Sequence, residues 1–348
     1  MNFRDFIAPY HSRNQGICFY RYPGEQIIHG LTGTETTEEA TASTQFLFFP
    51  FDRFKSKALR LAIQQEFSAM QLKDLLAIMK TPETFPKPFE FKCDNTTSSS
   101  FEPYQSLFEK AKVQIEMGLL QKVILSKREA HPFDPKNSFV LFQKLLEKHP
   151  NAYCFLFYHP ECGAWIGASP ELVLTRNENY FSTTALAGTK ASETEEWGTK
   201  EIEEHSIVSD FIYNSLKSIS SSINRNKTYT SKAGKLFHLK QDISFESTTK
   251  NLLNIIDLLH PTPAIGGLPQ ADAVRFIKAQ EPHPRKYYCG FLGKTSRQEA
   301  RIFVNLRSAE IQSKQIIIYA GGGITKDSEL EKEWEECRRK AENISSLL

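Results

Sequence analysis

Strand-like and helix-like segments occur in runs along this 348-residue chain rather than in strict alternation, and that order predicts an α+β fold instead of a doubly wound parallel sheet. Short apolar-rich stretches at Lys122–Ser126, Tyr153–Tyr158, Leu172–Thr175, Ile302–Leu306 and Gln315–Ala320 read as strands. Long amphipathic stretches from about Glu195 to Ile219 and from Asp327 to Ile344 read as helices.

With 40% hydrophobic and 24% charged residues, the chain has the profile of a folded globular protein, and its length fits one large domain or two ordinary ones. A net charge of +2 from nearly balanced acids and bases gives none of the clustered basic surface that nucleic-acid binding requires. No apolar signal core follows Met1, and no apolar run reaches the roughly 18 residues of a membrane span. The expected location is the cytoplasm, with no membrane partner. Six cysteines lie far apart without a Cys-x-x-Cys pair, which excludes zinc-site and redox-motif spacing and reads as free thiols.

In chain order, residues 1–93 mix short aromatic strands such as Phe46–Phe49 with polar stretches such as Thr32–Ser43, and carry no recognisable chemistry. The polar run Asp94–Ser100 is a linker candidate. Ser99 and Glu102 have capping-box spacing, after which Tyr104, Leu107, Phe108, Ala111 and Ile115 follow one helical face until Gly118 stops it. In the strand that follows, alternation puts Lys122 on the face opposite Val123 and Leu125.

Between Glu195 and Ile219, Val208, Phe211, Ile212 and Ile219 define an apolar face, with Glu204 one turn before Val208 on that side. Glu204 is either a helix-end carboxylate still in water or a buried one that needs a metal ion, a base or a site opening. On the last helix Glu333, Glu336 and Lys340 share a stripe, which by itself is the geometry of a surface ion pair worth about 0.3–0.5 kcal/mol. Gly321-Gly322-Gly323, between a strand and a helix, reads as a tight connection whose amides could approach an anion; its spacing is neither a P-loop nor a Rossmann fingerprint. Alone, Lys122 reads as an exposed edge lysine, and Glu171 after Ser169-Pro170 as a turn acid.

Taken together, these segments resemble the chorismate-binding enzymes, a family that includes anthranilate, aminodeoxychorismate, salicylate and isochorismate synthases. The resemblance runs in order through Lys122-Val123-Ile124-Leu125-Ser126, Gly167-Ala168-Ser169-Pro170-Glu171-Leu172, Leu186-Ala187-Gly188-Thr189 and Glu204-His205 preceded by Lys200. It continues through His238, His260-Pro261-Thr262-Pro263-Ala264, Arg307-Ser308-Ala309-Glu310, Tyr319-Ala320-Gly321, and Glu333-Trp334-x-Glu336 leading to Lys340. It implies a layered α+β fold of two stacked, mainly antiparallel sheets with outer helices, the site between them, and residues 1–93 in the same compact unit as the catalytic region 94–348.

By this similarity Glu204 and Glu336 are expected to coordinate one Mg²⁺, whose preference for oxygen ligands they suit. Arg307, Lys340 and the backbone at Gly188 and Gly321 are expected to grip the carboxylates of chorismate. Thr189, His238, Ala264 and Tyr319 are the expected supporting members of the pocket.

The subfamily turns on the nucleophile. Lys122 stands where water-using members resemble one another in carrying a general base, and Ala187 stands where aminodeoxychorismate synthases carry a nucleophilic lysine. The expected activity is that of an isochorismate synthase: Lys122 activates water for attack at C2, and Glu171 protonates the leaving C4 hydroxyl, so burial and neighbouring charge should lower one pKa and raise the other. No amidotransferase subunit is expected. Salicylate synthase is the alternative enzyme, although Ala264 leans away from it; anthranilate synthase is more distant, and a non-catalytic chorismate-binding module is the alternative of a different class. Two arginines of the family pattern are lysines here, Lys127 and Lys190, which lack the guanidinium fork. Whether the product feeds menaquinone or a siderophore is open at this level.

Overall fold

The computed structural model of this protein describes residues 2–37, 44–79, 89–91, 94, 96–190, 192–233, 236–247, 249 and 251–348, without the side chains of residues 189, 200, 233 and 236. Helix α1 (Phe3–Ser12) leads into strands β1 (Gln15–Arg21), β2 (Ile28–Glu35), β3 (Gln45–Phe49) and β4 (Leu59–Ala69). Helices α2 (Leu72–Ile78) and α3 (Phe101–Glu116) precede β5 (Lys122–Pro132). Helix α4 (Ser138–Lys148) is followed by β6 (Tyr153–His159), β7 (Gly163–Ser169), β8 (Leu172–Asn177) and β9 (Tyr180–Lys190). After α5 (Thr199–Lys217) come β10 (Ser220–Arg225), β11 (Tyr229–Ala233), β12 (Leu236–Ser247), α6 (Leu252–Leu259), β13 (Gly267–Leu268) and α7 (Gln270–Gln280). The chain ends with β14 (Phe291–Thr295), β15 (Glu299–Val304), β16 (Ser308–Ile311), β17 (Gln315–Ile324) and α8 (Leu330–Ser345).

Among the described residues every strand pairing is antiparallel, and the strands form one continuous ladder. It runs β13, β5, β17, β16, β7, β6, β1, β2, β4, β3, β14, β15, β8, β9 and β12, with β10 and β11 on the far edge of β12. The ladder folds back on itself through β1, β2 and β4, so rings from β6 and β7 meet rings from β3 and β15. Tyr153 stacks on Phe303 at 4.3 Å, and Phe48 lies 4.3 Å from Phe157 and 6.4 Å from Trp165. These aromatic contacts fill the space between two sheet layers, the expected α+β architecture.

Helices seal the outer faces with the apolar stripes their sequences carry. Val208, Ile212 and Leu216 of α5 and Ile255, Ile256 and Leu259 of α6 pack with Phe181, Ile243 and Phe245. Phe3 and Phe6 of α1, Phe142 and Leu145 of α4, and Cys337, Ala341 and Ile344 of α8 cover the other layer. Val123 and Leu125 of β5 point into a third cluster with Tyr104, Leu107 and Ala111 of α3 and Ala273 and Ile277 of α7. Lys122 and Ile124 therefore point the other way, into the space between the layers.

Several local expectations are corrected. The Ser99–Glu102 capping box does not form: Ser100 is the N-cap of α3, and the Ser99 hydroxyl instead accepts from the Arg128 N–H at 3.1 Å. Ser98 accepts likewise from the Ala130 N–H at 2.9 Å, so the linker candidate is bound along β5. Helix α5 starts at Thr199 rather than near Glu195, because Gly198 is still extended, and α8 starts at Leu330 after a turn closed by Ser328. Gly321-Gly322-Gly323 is not a connection but the interior of β17, paired with Ile124–Ser126 of β5. The five described cysteines are free; Cys93 lies outside the described residues. No described helix is long and apolar enough to cross a membrane.

Candidate active site

Segments distant in sequence converge on one cavity of about 220 Å³. Lys122, Glu171, Gly188, Glu204, His238, Ala264, Arg307, Tyr319, Gly321, Glu336 and Lys340 all line it, as does Ala187. Thr189 follows Gly188 on β9, but its side chain lies outside the described residues. A larger groove of about 1090 Å³ shares Pro170 and Leu186 with this cavity but none of these ionisable residues, so volume alone does not mark the site.

Sheet register brings the motifs together. Gly167 of β7 sits opposite Ser308 of β16, where a Cβ would come within 2.9 Å of Ser308 Cβ and 3.0 Å of the Arg307 carbonyl. Close passage of these strands sets the Arg307 side chain beside the chain leading to Glu171. Arg307 adopts a left-handed backbone (φ +46°), and its carbonyl accepts from the Ala168 N–H at 3.1 Å. Glu171 is aimed inward by a short turn in which its N–H donates to Ser169 Oγ at 3.3 Å, while its carbonyl accepts from Val304 N–H at 2.9 Å.

Glu171 is buried, not in water as a turn acid would be, and burial pushes its carboxyl up to about 7. Lys340, the Thr262 hydroxyl, Lys122 and Arg307 act in the opposite sense, yet desolvation of the anion wins. Lys122, equally, is no exposed edge residue: it is 4% exposed, and its Nζ lies 3.6 Å from Glu204 Oε1. Gly323 leaves room for this side chain, since a Cβ there would lie 2.8 Å from Lys122 Cε.

Across the cavity, Lys340 Nζ lies 2.6 Å from Glu336 Oε1 and donates to the Gly321 carbonyl at 2.9 Å. The helical Glu-to-Lys pair forms as its spacing suggests and lines the cavity, with both side chains still about 40% exposed to solvent. His238 donates through Nδ1 to the Gly188 carbonyl at 2.9 Å, and burial pulls its imidazole down to about 4, so it is neutral near pH 7. Gly188 has φ +71°, and the backbone of Glu201 stands 3.1 Å from where its Cβ would be. The first turn of α5 therefore packs directly on this peptide.

The cavity has carboxylates on both sides: Glu201 and Glu204 from α5, Glu333 and Glu336 from α8. Their oxygen donors are of the type a hard divalent cation takes, yet no three His, Cys, Asp or Glu side chains are gathered into a complete cage among the described residues. Mg²⁺ binds through one or two carboxylates and fills its remaining positions with water and substrate oxygens, and α5 and α8 each offer carboxylates of that donor type. Glu201, Tyr288 and Leu306 were missed from sequence. The helical spacing of Glu201 and Glu204 was a usable signal for the first; nothing local marks the other two.

The two lysines standing for arginines are buried and hold local structure outside the cavity lining. Lys127 lies 3.0 Å from Glu129 and 4.0 Å over the Trp334 ring, and Lys190 lies 4.5 Å over Trp197 while donating to the Glu193 carbonyl at 3.1 Å.

Comparison with known proteins places this geometry in context. The family described as chorismate binding enzyme matches residues 5–346. The isochorismate synthase MenF of Escherichia coli (strain K12) is 29% identical over 310 residues, covering 83% of this chain and 71% of that protein. Component 1 of the anthranilate synthase of Aquifex aeolicus (strain VF5) is 27% identical over 265 residues, 71% of this chain and 52% of that protein, so the match spans about half of that relative. The solved structure of MenF, described as the menaquinone-specific isochorismate synthase from Escherichia coli, superposes with a TM-score of 0.80 over 98% of this chain and 91% of that one, at 21% identity. The likeness to that structure is one of fold.

Proposed function

Because the chain belongs to the chorismate binding enzyme family, we propose that it is an isochorismate synthase, interconverting chorismate and isochorismate with water as nucleophile. One observation carries the choice within the family: a buried lysine, Lys122, and a carboxyl raised to about 7, Glu171, face the same cavity. Lys122 takes a proton from water, the oxygen attacks C2, the ring double bonds shift, and Glu171 gives its proton to the departing C4 hydroxyl, which leaves as water. One proton enters the protein at Lys122 and one leaves it at Glu171, so exchange with solvent restores both groups. The reaction trades similar bonds and is reversible.

Arg307, Lys340 and the backbone at Gly188 and Gly321 bind the substrate carboxylates in this reading, with Tyr319 and Ala264 completing the pocket and neutral His238 fixing the Gly188 peptide. Glu204 and Glu336 would hold Mg²⁺, which when bound supplies charge neutralisation at the ring carboxylate. Ala187 in the cavity wall supports a mechanism without a covalent lysine. Water as nucleophile needs no amidotransferase subunit.

The test is incubation of the protein with chorismate in ammonium buffer, with and without Mg²⁺, followed by chromatography and mass spectrometry. A Mg²⁺-dependent equilibrium of chorismate and isochorismate is expected. Salicylate with pyruvate, or anthranilate, would move the assignment to the corresponding relative, and magnesium-dependent binding without conversion would make the chain a binding module. Lys122→Ala is expected to lose roughly 10²- to 10⁴-fold in kcat with chorismate binding retained.

A further inference from the structure

Strand β5 begins at Lys122, and its edge toward β13 is paired with strand for two residues only, Leu268 opposite Lys122 and Gly267 opposite Val123. Beyond them the Ile124 N–H still reaches the Gly266 carbonyl at 3.0 Å, but the next backbone groups meet side chains instead of a strand. The Ile124 carbonyl accepts from Arg285 Nη2 at 2.7 Å, and the Ser126 N–H donates to Glu281 Oε1 at 2.9 Å. Ser126 Oγ donates to the same oxygen at 3.0 Å.

Glu281 and Arg285 are joined to each other by two bonds, Nε to Oε2 at 2.8 Å and Nη2 to Oε1 at 2.6 Å, and each side chain is 2% exposed. The carboxylate thus supplies the acceptor, and the guanidinium the donor, that a backbone C=O and N–H would have offered had β13 continued. Arg285 also reaches the opposite wall. Its Nη1 donates to the Ile265 carbonyl at 3.0 Å, and its own carbonyl accepts from the Tyr288 N–H at 2.9 Å. Ile124, Ile265 and Tyr288 all line the cavity. A buried ion pair adds little stability over apolar residues of similar volume, so a pair whose side chains are hydrogen-bonded to two separate segments, β5 and Ile265, is better explained by direction than by strength.

We propose that the Glu281–Arg285 pair completes the β5 ladder in place of a strand and thereby fixes Lys122 relative to the Ile265–Tyr288 wall. Both are positioning residues acting through Lys122, an inference that rests on the reading of Lys122 as the base. Neither touches the reacting atoms.

Two variants test it. Arg285→Lys keeps the charge but loses the planar fork that serves carboxylate and carbonyls at once. The double variant Glu281→Leu with Arg285→Met leaves no uncompensated charge in the core, but leaves the Ser126 N–H and the Ile124 and Ile265 carbonyls without these partners. Both are expected to lose kcat by roughly 10- to 100-fold while KM for chorismate stays within about threefold. Hydrogen exchange of peptide 120–128 is expected to quicken in Arg285→Lys. Parental kcat in either folded variant, or a change confined to KM, overturns the proposal; should the double variant not fold, Arg285→Lys decides alone. If the parent itself leaves chorismate unchanged, the activity reading falls, and exchange at 120–128 still decides whether the pair tethers the strand, with unchanged protection overturning it.

Discussion

At the scale of single residues, Glu171 makes the sharpest prediction because burial moves its carboxyl from the ordinary 4.5 to about 7. The acid form is the one that can protonate a leaving hydroxyl, and it is depleted above that value. We expect Glu171→Gln to lose roughly 10²- to 10⁴-fold in kcat, and the pH profile of kcat/KM to lose the limb that titrates near 7 in the parent. Stability carries the same signature with its own sign. An unfolded carboxyl titrates near 4.5, so the folded chain holds the proton more tightly, and this group's contribution is fully present below about 4.5 and lost as pH rises through about 7. Glu171→Gln should therefore melt higher than the parent at pH 8, by an increment of about 1–3 kcal/mol that disappears at pH 4. None of this was legible in the residue itself: Glu171 after Ser-Pro and Lys122 in a short strand have the local appearance of surface groups, and only coverage by distant segments buries them.

At the scale of elements, β17 decides how Lys122 reaches the cavity. A triple glycine before a helix suggests a tight connection, but pairing with β5 extends the strand through all three residues. Gly323→Ala would put a Cβ 2.8 Å from Lys122 Cε, and because the obstacle is the far end of a flexible side chain, it moves and the fold holds. We expect a stability change below about 1 kcal/mol, read from the denaturant midpoint, with kcat reduced at least about tenfold. Amphipathic periodicity gave α5 and α8 correctly to within a few residues at each end, since an apolar stripe against a sheet is a strong local signal. Strands β9 and β12 had no such signal, and the stop at Gly198 and the choice of Ser100 over Ser99 as N-cap depend on neighbouring strands.

At the scale of the whole molecule, the cavity exists because one antiparallel ladder folds over itself and aromatic rings hold its layers apart at a fixed spacing. Phe48 is fully buried between Phe157 of the facing layer, 4.3 Å away, and Tyr287, 4.4 Å away. Phe48→Ala is expected to cost about 3–5 kcal/mol, measured by chemical denaturation. Residues 15–35 and 45–69 supply the strands through which the ladder turns, so the segment with no recognisable chemistry builds the frame on which both chemical walls stand.

The order of the motifs from Lys122 to Lys340 was enough to set the family, the two-layer α+β fold and the set of residues expected in one site, because such an ordered set survives even where each motif alone reads as surface chemistry. What the tertiary structure decided was their environment. Whether Glu336 and Lys340 line a cavity, whether Lys122 is an edge lysine or a buried one, and what completes the edge of β5 beyond Val123 are all set by packing between segments distant in sequence. Burial and pKa follow from such nonlocal packing, and no local pattern encodes them.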